Sequence, residues 1–385
     1  TIGKLWVGGR DNAAGTGTFN MNTTGSIDAQ STASGYAASV IIGSQGGTGT
    51  LNMDSGTINA AGELWVPGGT PGSRGYFNMS GGAVNVNSWT AIGRGSGNNT
   101  YAYGELNITG GVWSNLTANN FTIGSFVGNT GLVTIAGSGK FYVLNDIYVG
   151  ESGTGTMIVS NGTVTVASDI MAPGNAGALG TLGISNGTVN ITSGLMVWNG
   201  TGVINVGGGT VTAGWITLGQ ATGNGVMTQS GGTITAGTLY LGYSGTAQGT
   251  YNLNGGTLAI NNVYATGVGA TRAFSFNGGT LQARQDNTTF MQGLTAATVD
   301  SGGAVIDTGT FSITIGQALL AGVPSGGLIK NGTGTLTLSG ANTYTGTTTV
   351  VGGALALAGG AAIHDLGVVV LTDAVGAGLT VNADE

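Results

Sequence analysis

The sequence predicts an all-β chain, a right-handed parallel β-helix (β-solenoid) with three short strands per coil and roughly 24 residues per coil. Three observations carry that prediction. A block reading Gly-Thr-(apolar)-Asn-(apolar), a Gly-rich turn, Gly-Thr-Val-Asn-Val and then Leu-Trp-Val-Gly-Gly recurs along about three quarters of the chain. The residues opening successive blocks run from Gly17, Gly49, Gly75 and Gly104 to Gly225, Gly249 and Arg272, with steps between 22 and 32. A fixed coil with loops of variable length at one corner explains steps that vary above a floor. Finally, four prolines and many Val, Ile, Thr and Tyr in short alternating runs favour strands. A propeller blade needs four strands and about 40 residues, so it fits the step less well.

Strand one of each coil is read from Phe19-Asn20-Met21, Leu51-Asn52-Met53, Phe77-Asn78-Met79 and Leu106-Asn107-Ile108, eleven copies in all to Phe274-Ser275-Phe276. Its period of two puts Phe19 and Met21 inward and Asn20 outward. Glycine pairs such as Gly231-Gly232, Gly255-Gly256 and Gly278-Gly279 follow it, where a sharp bend needs unrestricted φ. Strand two reads Thr57-Ile58-Asn59 or Thr163-Val164-Thr165-Val166, and strand three Leu5-Trp6-Val7, Leu64-Trp65-Val66, Ile147-Tyr148-Val149 or Leu239-Tyr240-Leu241. A single coil cannot bury its apolar face, whereas a stack at ~4.8 Å per coil can, and eleven coils would give roughly 50 Å.

Stacking implies columns. Strand one has an outward Asn column of Asn20, Asn52, Asn78, Asn107, Asn205 and Asn252, expected to form a hydrogen-bonded amide ladder that stiffens the stack. Strand three has an outward aromatic column of Trp6, Trp65, Tyr148, Tyr240 and Tyr264, with Met171 and Met196 among them. Three readings of that column stay open: strand-favouring residues covered by corner loops, a lateral protein interface, and a platform for sugar rings.

The pattern loosens from about Gln285, giving expected segments 1–285 (β-solenoid), 286–326 (irregular continuation) and 327–385 (a second repeat type). The last begins Gly327-Leu328-Ile329-Lys330-Asn331-Gly332-Thr333-Gly334-Thr335-Leu336-Thr337-Leu338 and runs through Ser339-Gly340-Ala341-Asn342-Thr343-Tyr344-Thr345-Gly346 to Ala354-Leu355-Ala356-Leu357. This stretch resembles the autotransporter-associated β-strand repeat of bacterial passenger domains and related surface proteins. The resemblance implies export, a parallel β-helix and a place on or outside the bacterial cell surface. It implies no single activity.

Composition narrows the function further. Gly contributes 80 of 385 residues without a Gly-X-Y period, which excludes collagen, and 40% apolar residues exclude a disordered chain. A net charge of −7 with only eight basic residues argues against nucleic acid and anionic membranes. The absence of Cys excludes disulfides and thiolate metal sites, and no apolar run reaches the ~20 residues of a membrane span. The chain opens at Thr1-Ile2-Gly3-Lys4-Leu5-Trp6, already within a repeat, so it is expected to be a processed or trimmed piece of a longer exported protein.

Candidate chemistry is sparse. Asp146 and Asp169 occupy equivalent positions before strand three, as does Glu63, with Lys4 in the first coil. Neighbouring coils would bring the two aspartates ~5 Å apart, the separation of a retaining glycosidase pair or an acidic calcium site. Two solvated turn acids are the expected outcome instead, because no Arg or His accompanies them. The single histidine, His364, precedes Asp365, but adjacent strand residues face opposite sides and no nucleophile is indicated. Sequons such as Asn107-Ile108-Thr109 follow from Asn and Thr abundance. No catalytic, cofactor or metal residues are assigned. The expected role is an extracellular, non-enzymatic rod or fibre subunit that associates with itself laterally or end to end as an adhesin, filament or stalk. The alternative is a carbohydrate-binding or carbohydrate-cleaving β-helix.

Overall fold

The chain is an all-β parallel β-solenoid of about 14 turns, with ~24 residues per coil and no helix among the described residues. The computed structural model describes residues 1–9, 13–30, 38–364, 367–372 and 376–381. The chain divides into two compact units, Thr1–Ile204 and Asn205–Glu385.

In the first unit every coil supplies one strand to each of three parallel faces. Strand one pairs from Thr16–Met21 to Thr48–Met53, then Arg74–Met79, Tyr103–Ile108, Thr130–Ala136, Thr154–Ser160 and Leu179–Ile184. Gly17, Gly49, Gly75, Gly104, Gly131, Gly155 and Gly180 stand opposite one another in that order, the register the repeat predicts. Coils are numbered below by these glycines, coil 1 opening at Gly17. Strands two and three stack in the same way, for example Ala83–Val86 on Val112–Asn115 and Phe121–Ile123 on Ile147–Val149.

Inward residues fill the space between the faces. Leu51, Phe77, Leu106, Val133, Met157 and Leu182 of strand one are fully buried, while Phe19 in coil 1 is half-buried. Burying one such side chain contributes about 1.5–3 kcal/mol. Coils 3–5 carry an aromatic spine in which Phe77, Trp113, Phe121 and Phe141 meet edge to face at 5.3, 6.3 and 4.8 Å between centroids. Its members come from strands one, two and three in turn, so it ties the three faces together.

Glycine works in two ways. Bends after strand one take positive φ, at Gly56 (88°), Gly82 (83°) and Gly111 (77°), as expected for the corner. The glycine inside strand one has a different cause. A Cβ on Gly104 would overlap the Val66 carbonyl oxygen and the Gly93 nitrogen, because the corner after strand three packs directly against this point. The same clash arises at Gly49, Gly75, Gly131 and Gly155.

The second unit keeps the parallel stack with altered corners. Asn224–Thr235 and Gln248–Ile260 each run through strands one and two without interruption, passing Gly231-Gly232 and Gly255-Gly256 with a register shift near Ser230. Strands continue through 286–326, from Asn287–Gln292 to Leu319–Ala321. The step between equivalent residues then falls from 24 (Ala304 to Leu328) to 20 (Leu328 to Thr348). Side chains bridge the coils there. Buried Asn342 accepts the Leu319 N–H at 2.8 Å and donates to the Ala362 carbonyl at 2.6 Å, so one amide links three successive coils.

Candidate functional site

The strand-one face of the first unit carries the amide ladder. Asn52 Nδ2 donates to Asn20 Oδ1 at 2.8 Å, Asn78 to Asn52 at 2.9 Å and Asn107 to Asn78 at 3.1 Å. All three amides point the same way along the stack. In the next coils the position is held by Thr134, Ile158 and Gly183. In the second unit, Asn252 stands between Thr228 and Ser275, and its Nδ2 reaches only Thr228 Oγ1 at 3.4 Å. Asn205 is exposed at the start of that unit. A second ladder lies on strand two, where Asn59 Nδ2 donates to Asp28 Oδ1 (2.7 Å) and Asn85 to Asn59 (2.9 Å). The strand-two motif Thr-Ile-Asn and Val-Asn-Val already held the signal for it.

Other polar and aromatic groups gather beside the first ladder. Tyr103 Oη donates to Glu105 Oε2 at 3.0 Å, and Glu105 Oε1 accepts from Asn107 Nδ2 at 2.7 Å. Tyr76 and Tyr103, on adjacent coils, lie 6.0 Å apart between centroids. Burial and the Glu105 hydrogen bond push the Tyr103 phenol up to about 12, so it stays a donor at any physiological pH. A groove of about 410 Å³ runs past Asn52, Asp54, Asn78, Ser80, Asn107 and Thr109.

On strand three the aromatic column departs from an exposed platform. In the first unit Trp6, Ile41, Trp65, Ala91, Thr122, Tyr148, Met171 and Met196 stand in register. Trp65 is only 4% exposed, within a second apolar cluster of Ala38, Ile41 and Ala91 against which Trp6 and Trp89 pack. The corner segments cover this face: Gly68 lies against the Trp65 ring and Gly174 against Tyr148. Trp65 is therefore unavailable to a partner, and Trp6 and Tyr148 are half-buried. In the second unit Tyr240 and Tyr264 are also half-buried, but Tyr243 packs on Tyr240 at 4.8 Å and, like Trp215, is exposed. Tyr264 Oη shares a 2.8 Å hydrogen bond with Thr289.

Arg94, which no repeat position marks out, caps the covered face. Its guanidinium carbon lies 3.9 Å from the Trp65 centroid, 5.0 Å from that of Trp89 and 5.5 Å from that of Phe126. Trp65 Nε1 donates to Glu63 Oε2 at 2.7 Å. Burial draws Arg94 below its ordinary value, against the opposing attraction of Glu63 and Glu151. Burial pushes the Glu151 carboxyl up to about 7, with Ser125 and Arg94 opposing.

The candidate acids are occupied by backbone. Asp146 Oδ1 accepts the Asp169 N–H at 3.2 Å, and Asp169 Oδ1 accepts the Gly194 N–H at 2.6 Å, so each carboxylate caps the next coil. His364 is exposed, and Asp365 lies outside the described residues. Among the described residues no three His, Cys, Asp or Glu side chains gather as a metal site, and no helix is long and apolar enough to cross a membrane.

Lys330 is the most unusual polar group in the second unit. It is fully buried on strand two, and the three N–H donors of its Nζ are shared among four acceptors at 2.9 Å, Thr308 Oγ1 and the carbonyls of Asn331, Gly332 and Gly352. Residues 328–357, which contain Lys330, Asn342 and Tyr344, match the family described as passenger-associated-transport-repeat. No curated protein and no solved structure matches the chain.

Proposed function

We propose that the chain is a non-catalytic structural β-solenoid, a rigid surface or secreted element that associates with further copies of itself as an adhesin, filament or stalk. The passenger-associated repeat and the β-solenoid fit an autotransporter passenger-like structural role, and that repeat belongs to passenger domains, which are surface-borne or secreted. The observation that carries the reading is the in-register stack: each coil of the first unit adds the same three strands and buries the apolar side of its neighbour.

Self-association has a candidate surface. Beyond coil 4 the strand-one face is uncharged, with half-buried Leu132 and Ile158, Leu179 and Val203, exposed at 37, 50 and 36%, set among threonines. An uncharged surface of threonines and scattered aliphatic side chains, in a chain with 6% charged residues, suits lateral packing that salt does not screen. Sedimentation velocity across a concentration series, with electron microscopy of the same samples, tests this. Concentration-dependent oligomers or filaments that Ile158→Glu with Leu179→Glu disperses are expected. A strictly monomeric particle at high concentration would overturn self-association.

Carbohydrate binding on strand three is the second reading, favoured by the exposed Trp215 and Tyr243 beside Tyr240. Nothing comparable favours cleavage, because Asp146 and Asp169 already serve as acceptors for backbone N–H groups.

A further inference from the structure

The amide ladder does more than stacking requires. Coils 5, 6 and 7 carry Thr134, Ile158 and Gly183 at the ladder position and still pair in the same register. What coils 2–4 add on this face is chemically distinct: planar amides, two carboxylates, hydroxyls and two tyrosines within three successive turns. Each ladder amide has two N–H donors and an oxygen with two lone pairs. Asn52 and Asn78 each donate one N–H down the ladder and accept one from above, which leaves one donor and one lone pair per side chain for an outside partner.

We propose that the strand-one face of coils 2–4 binds a neutral, extended β-linked polysaccharide laid along the stack. The free amide donors and acceptors of Asn52 and Asn78 recur at the coil rise of ~4.8 Å, close to the advance of one pyranose ring along such a chain. Planar groups with paired donor and acceptor atoms match vicinal hydroxyls, and the groove beside them also presents Asp54 and the Ser80 hydroxyl that donates to it at 2.6 Å. Tyr76 and Tyr103 supply aromatic surface for the apolar side of the sugar rings, at little cost in ordering because Tyr103 is already held by Glu105. Two acids, Asp54 and Glu105, face one base, Arg74, which disfavours an anionic polymer. This site lies on a different face from the strand-three aromatics and goes beyond the structural role.

The test is isothermal titration of the full chain with cellohexaose and with chitohexaose. One of the two is expected to bind, with affinity falling at least tenfold in Tyr76→Ala/Tyr103→Ala and in Asn78→Asp, which keeps the side-chain size but removes both the outward donor and the donor to Asn52. Tyr142→Ala on the strand-two face should bind as the parent does. Circular dichroism melts establish that each variant is folded, and Asn78→Asp carries the test if the double variant is not. Binding of neither hexasaccharide, or binding unchanged in Asn78→Asp, would overturn the proposal. So would a dimer that Tyr76→Ala dissociates and that takes up no sugar, because the face would then hold a second copy. Self-association is read separately by sedimentation, so either reading can fail alone.

Discussion

The guanidinium of Arg94 stacks 3.9 Å from the ring centroid of Trp65, and together with the corner at Gly68 it covers the outer side of strand three around that ring. Trp89 and Phe126 flank the same cation, so aromatic faces offset part of the cost of its burial. Arg94→Ala should destabilise the chain by ~2–3 kcal/mol, combining a desolvated cation–π contact with the lost packing of the stem. Arg94→Lys should recover less than half of that, because an ammonium cannot stack as a planar group. Denaturant unfolding gives the energies. A red shift in tryptophan emission in the Ala variant, reporting the uncovered Trp65, ties the loss to this face.

Glu151 makes the same cluster sensitive to pH. Burial raises its carboxyl from 4.5 to about 7, so between those values the folded chain binds a proton that the unfolded chain does not. Stability contributed by this group therefore rises as pH falls from 7 towards 4.5 and is lost as pH rises through 7. Glu151→Gln should remove that slope, a difference of ~2–3 kcal/mol across the window. Thermal melts of parent and variant at pH 4.5 and pH 8 check it: the variant should gain on the parent at pH 8 relative to pH 4.5. Parallel melting curves across the range would refute the assignment.

The opening glycines Gly17 to Gly180 fixed the register in advance because stacked coils repeat whatever their loops do, and the inward column from Leu51 to Leu182 followed from a period of two. Trp65 was ambiguous for a physical reason. An outward strand residue alternates identically whether a corner segment folds over it or leaves it in water. Arg94 was invisible because, Trp89 apart, its partners Glu63, Trp65 and Glu151 lie 31, 29 and 57 residues away and meet it through the stacking of coils. Lys330 shares the inward face of Leu328, yet a charged residue at such a position is rarely buried unless acceptors meet it, and those acceptors belong to three different coils.

Two glycines of strand one should respond oppositely to alanine. Gly104 meets the Val66 carbonyl oxygen and the Gly93 nitrogen where a Cβ would sit, so Gly104→Ala must push two corners apart. A cost of ~3 kcal/mol or more is expected, at the upper end for overpacking because backbone rather than a side chain must yield. Gly183 has no atom within 4 Å of that position. Gly183→Ala should instead stabilise by ~0.5 kcal/mol through the restricted unfolded chain. Urea unfolding of the two variants checks both signs.

Lys330 should be the least replaceable side chain of the matched repeat. Burial brings its ammonium down to about 8, helped back by Asp307, so it remains charged at neutral pH. Four oxygens then take the place of water: Thr308 from the coil before, Asn331 and Gly332 from its own turn, and Gly352 from the coil after. Lys330→Met fills the space but strands the Gly332 and Gly352 carbonyls in a dry interior, while Asn331 keeps the Thr308 N–H and hydroxyl, at a cost of ~2–4 kcal/mol. Because those groups sit where the coil shortens from 24 to 20 residues, the damage should be local. Hydrogen exchange is the measurement to make. Amides of 328–357 should lose protection in the variant while those of Thr1–Ile204 keep theirs, and uniform loss along the chain would show that Lys330 is not a local clamp.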